Sequence, residues 1–242
     1  MLRLIFPLLI LLFYSPSPLA DDYTAYSQSP FSNPAFDPLV KEGFEAMDRE
    51  DTATAIEFLR KGVTAGASSP LVFFKLALAY ETQGSYYSAV QYYDLAREGF
   101  KKANQDHPYF RQFPENYGRA LYMLGQTDKA LPVLEEAASN TLGSPWVCRL
   151  LGQIFLSKKQ AGKAADYFAR FAAKEPNITK KELIDIDLGL ARAFRGAGDE
   201  ENTAKYYGKV AALDPSNQEA GQYLRNKNSS RSMDKLFEIF KN

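Results

Sequence analysis

The chain has 242 residues, of which 45% are hydrophobic and 24% charged, a balance that excludes a disordered polymer. Its 29 basic and 29 acidic side chains cancel, so nothing in the charge points to a nucleic-acid surface. One cysteine excludes an internal disulfide.

The first element is a short apolar run. Arg3 precedes Leu4 to Tyr14, Pro16 and Pro18 break the run, and Leu19-Ala20 leads into Asp21-Asp22. This pattern predicts a secretory signal peptide over 1–20, cut after Ala20. At 1.5 Å per residue the run spans about 16 Å as helix, short of the ~30 Å hydrocarbon core. An uncleaved signal anchor is the alternative. The expected location is therefore outside the cytosol: periplasmic in a bacterium, otherwise the secretory pathway or the extracellular space. No integral membrane span remains after cleavage. Residues 21–35, rich in Ser, Tyr, Asn and Pro with little period, read as a flexible leader.

From residue 36 to 215 a repeat takes over. Five times a small residue is followed twelve places on by another: Gly43 and Ala55, Ala77 and Ala89, Gly118 and Ala130, Gly152 and Ala164, Ala191 and Thr203. The starts are 34, 41, 34 and 39 residues apart, a period of 34 with two insertions. Each unit reads as two helices whose small residues permit close approach. Gly84, Gly125 and Gly198 stand seven places after the first small residue, where the chain reverses. Leu59, Tyr93, Leu134, Phe168 and Tyr207 are expected to fill the gap between repeats, and Pro176 and Pro215 to stop second helices. One insertion lies near 103–108 and is expected to lengthen the second helix or its exit loop. The other lies near 178–182, where Thr179 and Glu182 suggest a capping box. Residues 216–242 read as C-terminal capping helices, one over 216–227 and one over 231–241. The second aligns Met233, Leu236, Phe237 and Phe240; capping is the first reading and a docking tail the second.

These residues, with Tyr80 and Phe194 three places after their small residue and Tyr93 sixteen places after, resemble the tetratricopeptide repeat over about 39–215. The resemblance implies an all-α, α-α superhelix of about five helix-turn-helix repeats plus the capping helices. The first repeat departs most, with Ala46 for an aromatic and Glu50 for the loop glycine. The family's groove positions, carried over one by one, give Val40, Lys41, Phe44 and Met47, then Phe74, Lys75, Leu78 and Glu81. They continue with Glu115, Asn116, Arg119, Tyr122 and Met123, then Trp146, Arg149, Gln153, Arg192 and Arg195. The expected groove grades from apolar to arginine-rich, with Trp146 beside Arg149. The slots that clamp chaperone carboxylates in some relatives hold Trp146 and Leu150 in place of the basic pair.

Catalytic chemistry has no constellation. His107 reads as a loop residue, and Cys148 as a buried helix side chain rather than a reactive thiol. One histidine and one cysteine are too few for an ordinary zinc site. The acidic pairs Asp185/Asp187 and Glu135/Glu136 are assigned to solvated helix faces. The expectation is a non-catalytic scaffold or adaptor with no metal or cofactor, binding a protein or peptide and no nucleic acid. The alternatives are an assembly accessory for a secretion, pilus or outer-membrane machine and a self-assembling repeat protein; no sequence feature indicates a homo-oligomer.

Overall fold

A computed structural model describes residues 26, 27, 29, 31–101, 108–139 and 144–241. The signal peptide expected over 1–20 and His107 lie outside them. The described chain is helical and falls into two compact units, divided after Gln105.

The first unit holds α1 (Asp37–Asp48), α2 (Thr52–Ala65), α3 (Pro70–Thr82) and α4 (Tyr86–Phe100). The second holds α5 (Pro108–Met123), α6 (Thr127–Ser139), α7 (Pro145–Ser157), α8 (Ala161–Lys174), α9 (Lys180–Gly196), α10 (Glu200–Leu213) and α11 (Gln218–Lys241). The densest packing joins α1 to α2, α3 to α4, α5 to α6, α7 to α8 and α9 to α10, the five expected pairs. Ser69 and Ser144 cap α3 and α7 ahead of a proline, which lacks the amide hydrogen that a first turn leaves unpaired anyway. Thr179 and Glu182 form the capping box expected at α9. α8 and α10 stop two residues before Pro176 and Pro215.

Small residues matter because the helices of a pair nearly touch. A Cβ built on Gly43 would lie 2.6 Å from Leu59, on Gly118 2.7 Å from Leu134, and on Gly152 2.7 Å from Phe168. Those partners stand sixteen places on, the set assigned from sequence to the gap between repeats. The correction is that they pack first over the small residue of their own pair. Leu59, Tyr93, Leu134 and Tyr207 are fully buried and Phe168 nearly so.

All five hairpins turn the same way. The residue seven after the small one is left-handed in each: Glu50 at φ 58°, Gly84 at 77°, Gly125 at 82°, Lys159 at 59° and Gly198 at 75°. The next amide reaches back five residues, as in Asp51 to Ala46 at 2.9 Å, Ser85 to Tyr80 at 2.8 Å and Gln160 to Phe155 at 2.9 Å. Glu50 and Lys159 pay a steric cost that glycine does not. Glu50→Gly and Lys159→Gly are each expected to stabilise the chain by about 1 kcal/mol, seen as a higher denaturation midpoint. Gly125→Ala is expected to move it the other way.

Two sequence expectations change. Within the stretch read as a flexible leader, Tyr26 is fully buried and meets Phe44 edge-on at 6.0 Å. Its hydroxyl donates to Asp37 at 2.7 Å, and Ser32 and the Asn33 amide donate to the same carboxylate at 2.8 and 2.7 Å. Burial pushes the Asp37 carboxyl up, and these hydrogen bonds outweigh it and hold it below its ordinary value. The C-terminal region is one 24-residue helix rather than two. α5 and α9 have 16 and 17 residues against 12 in α1 and 13 in α3 and α7, and the insertion expected near 103–108 lies almost wholly outside the described residues.

Candidate functional site

In the 106–242 unit the first helices of successive pairs present one connected surface. Pro145 starts α7 just after Ser144, whose hydroxyl donates to Glu115 of α5 at 2.5 Å. One turn further along α5, Arg119 donates to Asn116 at 2.8 Å and lies over the Trp146 ring at 5.5 Å. Arg149 of α7 donates to Glu182 of α9 at 3.0 Å and covers the Phe171 ring at 5.8 Å. Arg192 of α9 grips Glu219 of α11 through Nε, at 3.0 and 3.2 Å, and Nη2. Each first helix is thereby stitched to the next.

The electrostatics follow from these contacts. The Thr179 backbone amide is the main influence holding the Glu182 carboxyl below its ordinary value, against some burial, with the Thr179 hydroxyl and Arg149 adding to it. Arg192 and Tyr207 hold Glu219 down to about 2. The expected arginine-rich end is therefore not a bare basic patch, because Arg149 and Arg192 each meet a carboxylate. Sequence reading treated Glu182 only as a cap, placed Glu115 in the groove without its partner, and missed Glu219. Their partners lie 33, 27 and 29 residues away, which no local pattern reports. The signal available was a carboxylate at the start of the next first helix.

The individual groove residues separate into two groups. In the first unit Phe44, Phe74 and Lys75 are buried, as is Val40. Phe44 lies under Tyr26, and Phe74 packs against Tyr93 at 5.9 Å and Phe100 at 6.2 Å. The apolar end expected of the groove is thus core at these positions, while Met47 and Leu78 are half-buried. In the second unit Arg119, Tyr122, Trp146 and Arg149 are half-buried, and Met123, Gln153, Arg192 and Arg195 are exposed. Trp146 leans on the preceding pair through Arg119 and still keeps an accessible edge.

Cys148 is fully buried, as its helical setting suggested. Asp187 is not on a solvated face: it is 7% exposed, with Lys209 at 3.8 Å, and burial raises its carboxyl. Among the described residues no group of three His, Cys, Asp or Glu is placed to hold a metal ion.

Five hairpins of this geometry, each packed on its neighbour within each unit, are the tetratricopeptide-repeat fold. Solved structures of that class match the chain. One is YrrB, described as a tetratricopeptide-repeat protein with an unusual peptide-binding site, at 15% identity and a TM-score of 0.59, covering 84% of this chain and 97% of that one. MamA matches at 16% identity and a TM-score of 0.57, over 75% and 92% of the two chains. MamA from Desulfovibrio magneticus RS-1 matches at 18% and 0.55, over 77% and 98%. No protein-family model and no curated protein sequence matches the chain.

Proposed function

We propose that the chain is an exported, non-catalytic adaptor of the cell envelope that holds a peptide or protein segment on the first-helix face of residues 108–196. The observation that carries this reading is Trp146 with Arg119 stacked on it, flanked by Tyr122, Met123 and Gln153 on one partly open surface. Aromatic and arginine side chains dominate binding energy at interfaces, and here they are pre-positioned by the stitching of α5 to α7 and α7 to α9. The peptide-binding site described for YrrB supports the same use of the fold. The apolar run at 4–14, with Ala20 at its expected cut, supports export. Such an adaptor fits service to a secretion, pilus or outer-membrane assembly.

The test is affinity capture from envelope extract by residues 21–242 and by a Met123→Glu/Trp146→Ala/Gln153→Arg variant, both first confirmed helical by circular dichroism. The variant is expected to lose the captured partner, since one true anchor is worth about 2 kcal/mol or more. Equal capture by both forms overturns the assignment of this face.

A further inference from the structure

The fifth hairpin breaks a rule that the other four keep. Four places before the small residue of each first helix stand Leu39, Phe73, Pro114 and Cys148; in the fifth stands Asp187. The position belongs to the packed side of the helix. Pro114 and Cys148 are buried, and Phe73 meets Tyr92 of its own second helix at 6.5 Å. Asp187 keeps that placement. With Leu190, Ala191 and Phe194 it forms the buried stripe of α9, and its charge acts on Tyr206, the residue of α10 that corresponds to Tyr92.

A carboxylate is poorly provided for in that stripe. Its side chain is 10% exposed, and among the described residues no hydrogen bond reaches it. Lys209 of α10 stands 3.8 Å away, but it is 51% exposed and its ammonium also lies over the Tyr206 ring at 4.8 Å. The other charges nearby are engaged or outside. Lys205 of α10 lies over the same ring at 5.5 Å, and Asp166 of α8 is exposed, its charge reaching Tyr206. Asp185 of α9 is exposed and meets Lys181, while Arg149 of α7 is committed to Glu182. A carboxylate taken out of water without hydrogen bonds is driven toward its neutral form. Burial accordingly raises the Asp187 carboxyl, against a smaller opposite pull from Lys209.

α9 connects this position to the candidate site. Two residues on, Gly189 lets α9 rest on α7: a Cβ there would lie 3.2 Å from Leu156. Five residues back, about 7.5 Å along the helix, Glu182 accepts from Arg149.

We propose that the α9–α10 hairpin is a proton-tightened joint. With Asp187 neutral the hairpin closes as the other four do; ionisation of Asp187 loosens the seat of α9 on α7, and with it the contact between Glu182 and Arg149. The joint supports the first-helix face and works in the same way whatever that face binds.

Urea denaturation of the full chain between pH 4 and pH 8 tests it, beside Asp187→Asn, Lys209→Met and the double variant. A carboxyl raised on folding makes the chain lose stability as pH climbs from its ordinary value, here 3.8, through its folded one. Asp187→Asn removes that loss. Its unfolding constant is expected to be about fivefold below that of the wild type at pH 7, with the gap narrowing toward pH 4. Lys209→Met is expected to cost more in the wild type than beside Asp187→Asn, because there it leaves no buried charge unpaired. A gap that does not vary with pH overturns the proposal, as does an Asp187→Asn variant less stable than the wild type at pH 7. Equal cost of Lys209→Met in both backgrounds does so too, and assigns Lys209 to the Tyr206 ring alone. Hydrogen exchange at pH 7 locates the effect. Asp187→Asn is expected to raise protection in α9 and α10, including the first turn around Glu182, and to leave α3 and α4 unchanged. Equal gains in α3 and α4 would overturn a local joint.

Discussion

Replacing Gly152 with leucine is expected to destabilise the chain by about 3 kcal/mol and lower its melting temperature by roughly 6–12 °C. The cause is local. A single Cβ at this position already lies 2.7–2.8 Å from three atoms of the Phe168 ring, and that ring is 4% exposed. A flexible leucine tip, such as Leu134 facing Gly118, has rotamers to retreat into; a buried aromatic ring does not. α7 and α8 must therefore separate, and with them the alignment of Trp146 and Arg149. Gly208→Ala is the matched comparison, because nothing lies within 4 Å of its added Cβ and it sits inside α10. There alanine's better helix propensity is expected to raise stability by about 0.5–1 kcal/mol. Thermal melts that rank the two substitutions together would remove the close-approach account of the repeat.

That account was legible because its cause is short-range and repeated. Gly43, Gly118 and Gly152 mark the tight crossings from sequence, and Leu59, Leu134 and Phe168 follow each at the same offset. The turns were half legible. Glycine at 84, 125 and 198 announces a left-handed residue, whereas Glu50 and Lys159 adopt the same conformation with no compositional sign. Packing of the rest of the hairpin overrides their preference. Tyr26 of the leader was misread for a related reason: it docks on Phe44 and on the Asp37 carboxylate, and neither contact has a period. At the candidate site the sequence placed Trp146, Arg119 and Arg149 on one surface. It did not show that Arg149 and Arg192 are committed to Glu182 and Glu219, because an ion pair between repeats depends on how far each helix extends. The longer α9 is what brings Glu182 to Arg149.

The Arg192–Glu219–Tyr207 cluster is the junction on which the reach of α11 depends, and Glu219→Ala is expected to cost about 2 kcal/mol. Most of that comes from Tyr207 rather than from the ion pair. The arginine side chain is 62% exposed, so Arg192→Ala alone is expected to cost less than about 1 kcal/mol. Tyr207 is fully buried, and removing Glu219 strips the acceptor 2.8 Å from its hydroxyl. Acid provides a second test. Glu219 has an ordinary value of 4.5 and is held at about 2 in the folded chain. A carboxyl depressed on folding contributes stability that is complete above its unfolded value and lost as pH falls through its folded one. The stability gap between wild type and Glu219→Gln is therefore expected to be constant above pH 4.5 and to close toward pH 2. With the carboxylate 36% exposed, solvent screening limits the pH-dependent part to about 1 kcal/mol. Hydrogen exchange supplies the location: protection lost in α11 while α7 and α8 keep theirs is the expected pattern. Loss spread evenly over α7 to α11 would instead make this cluster one support among many.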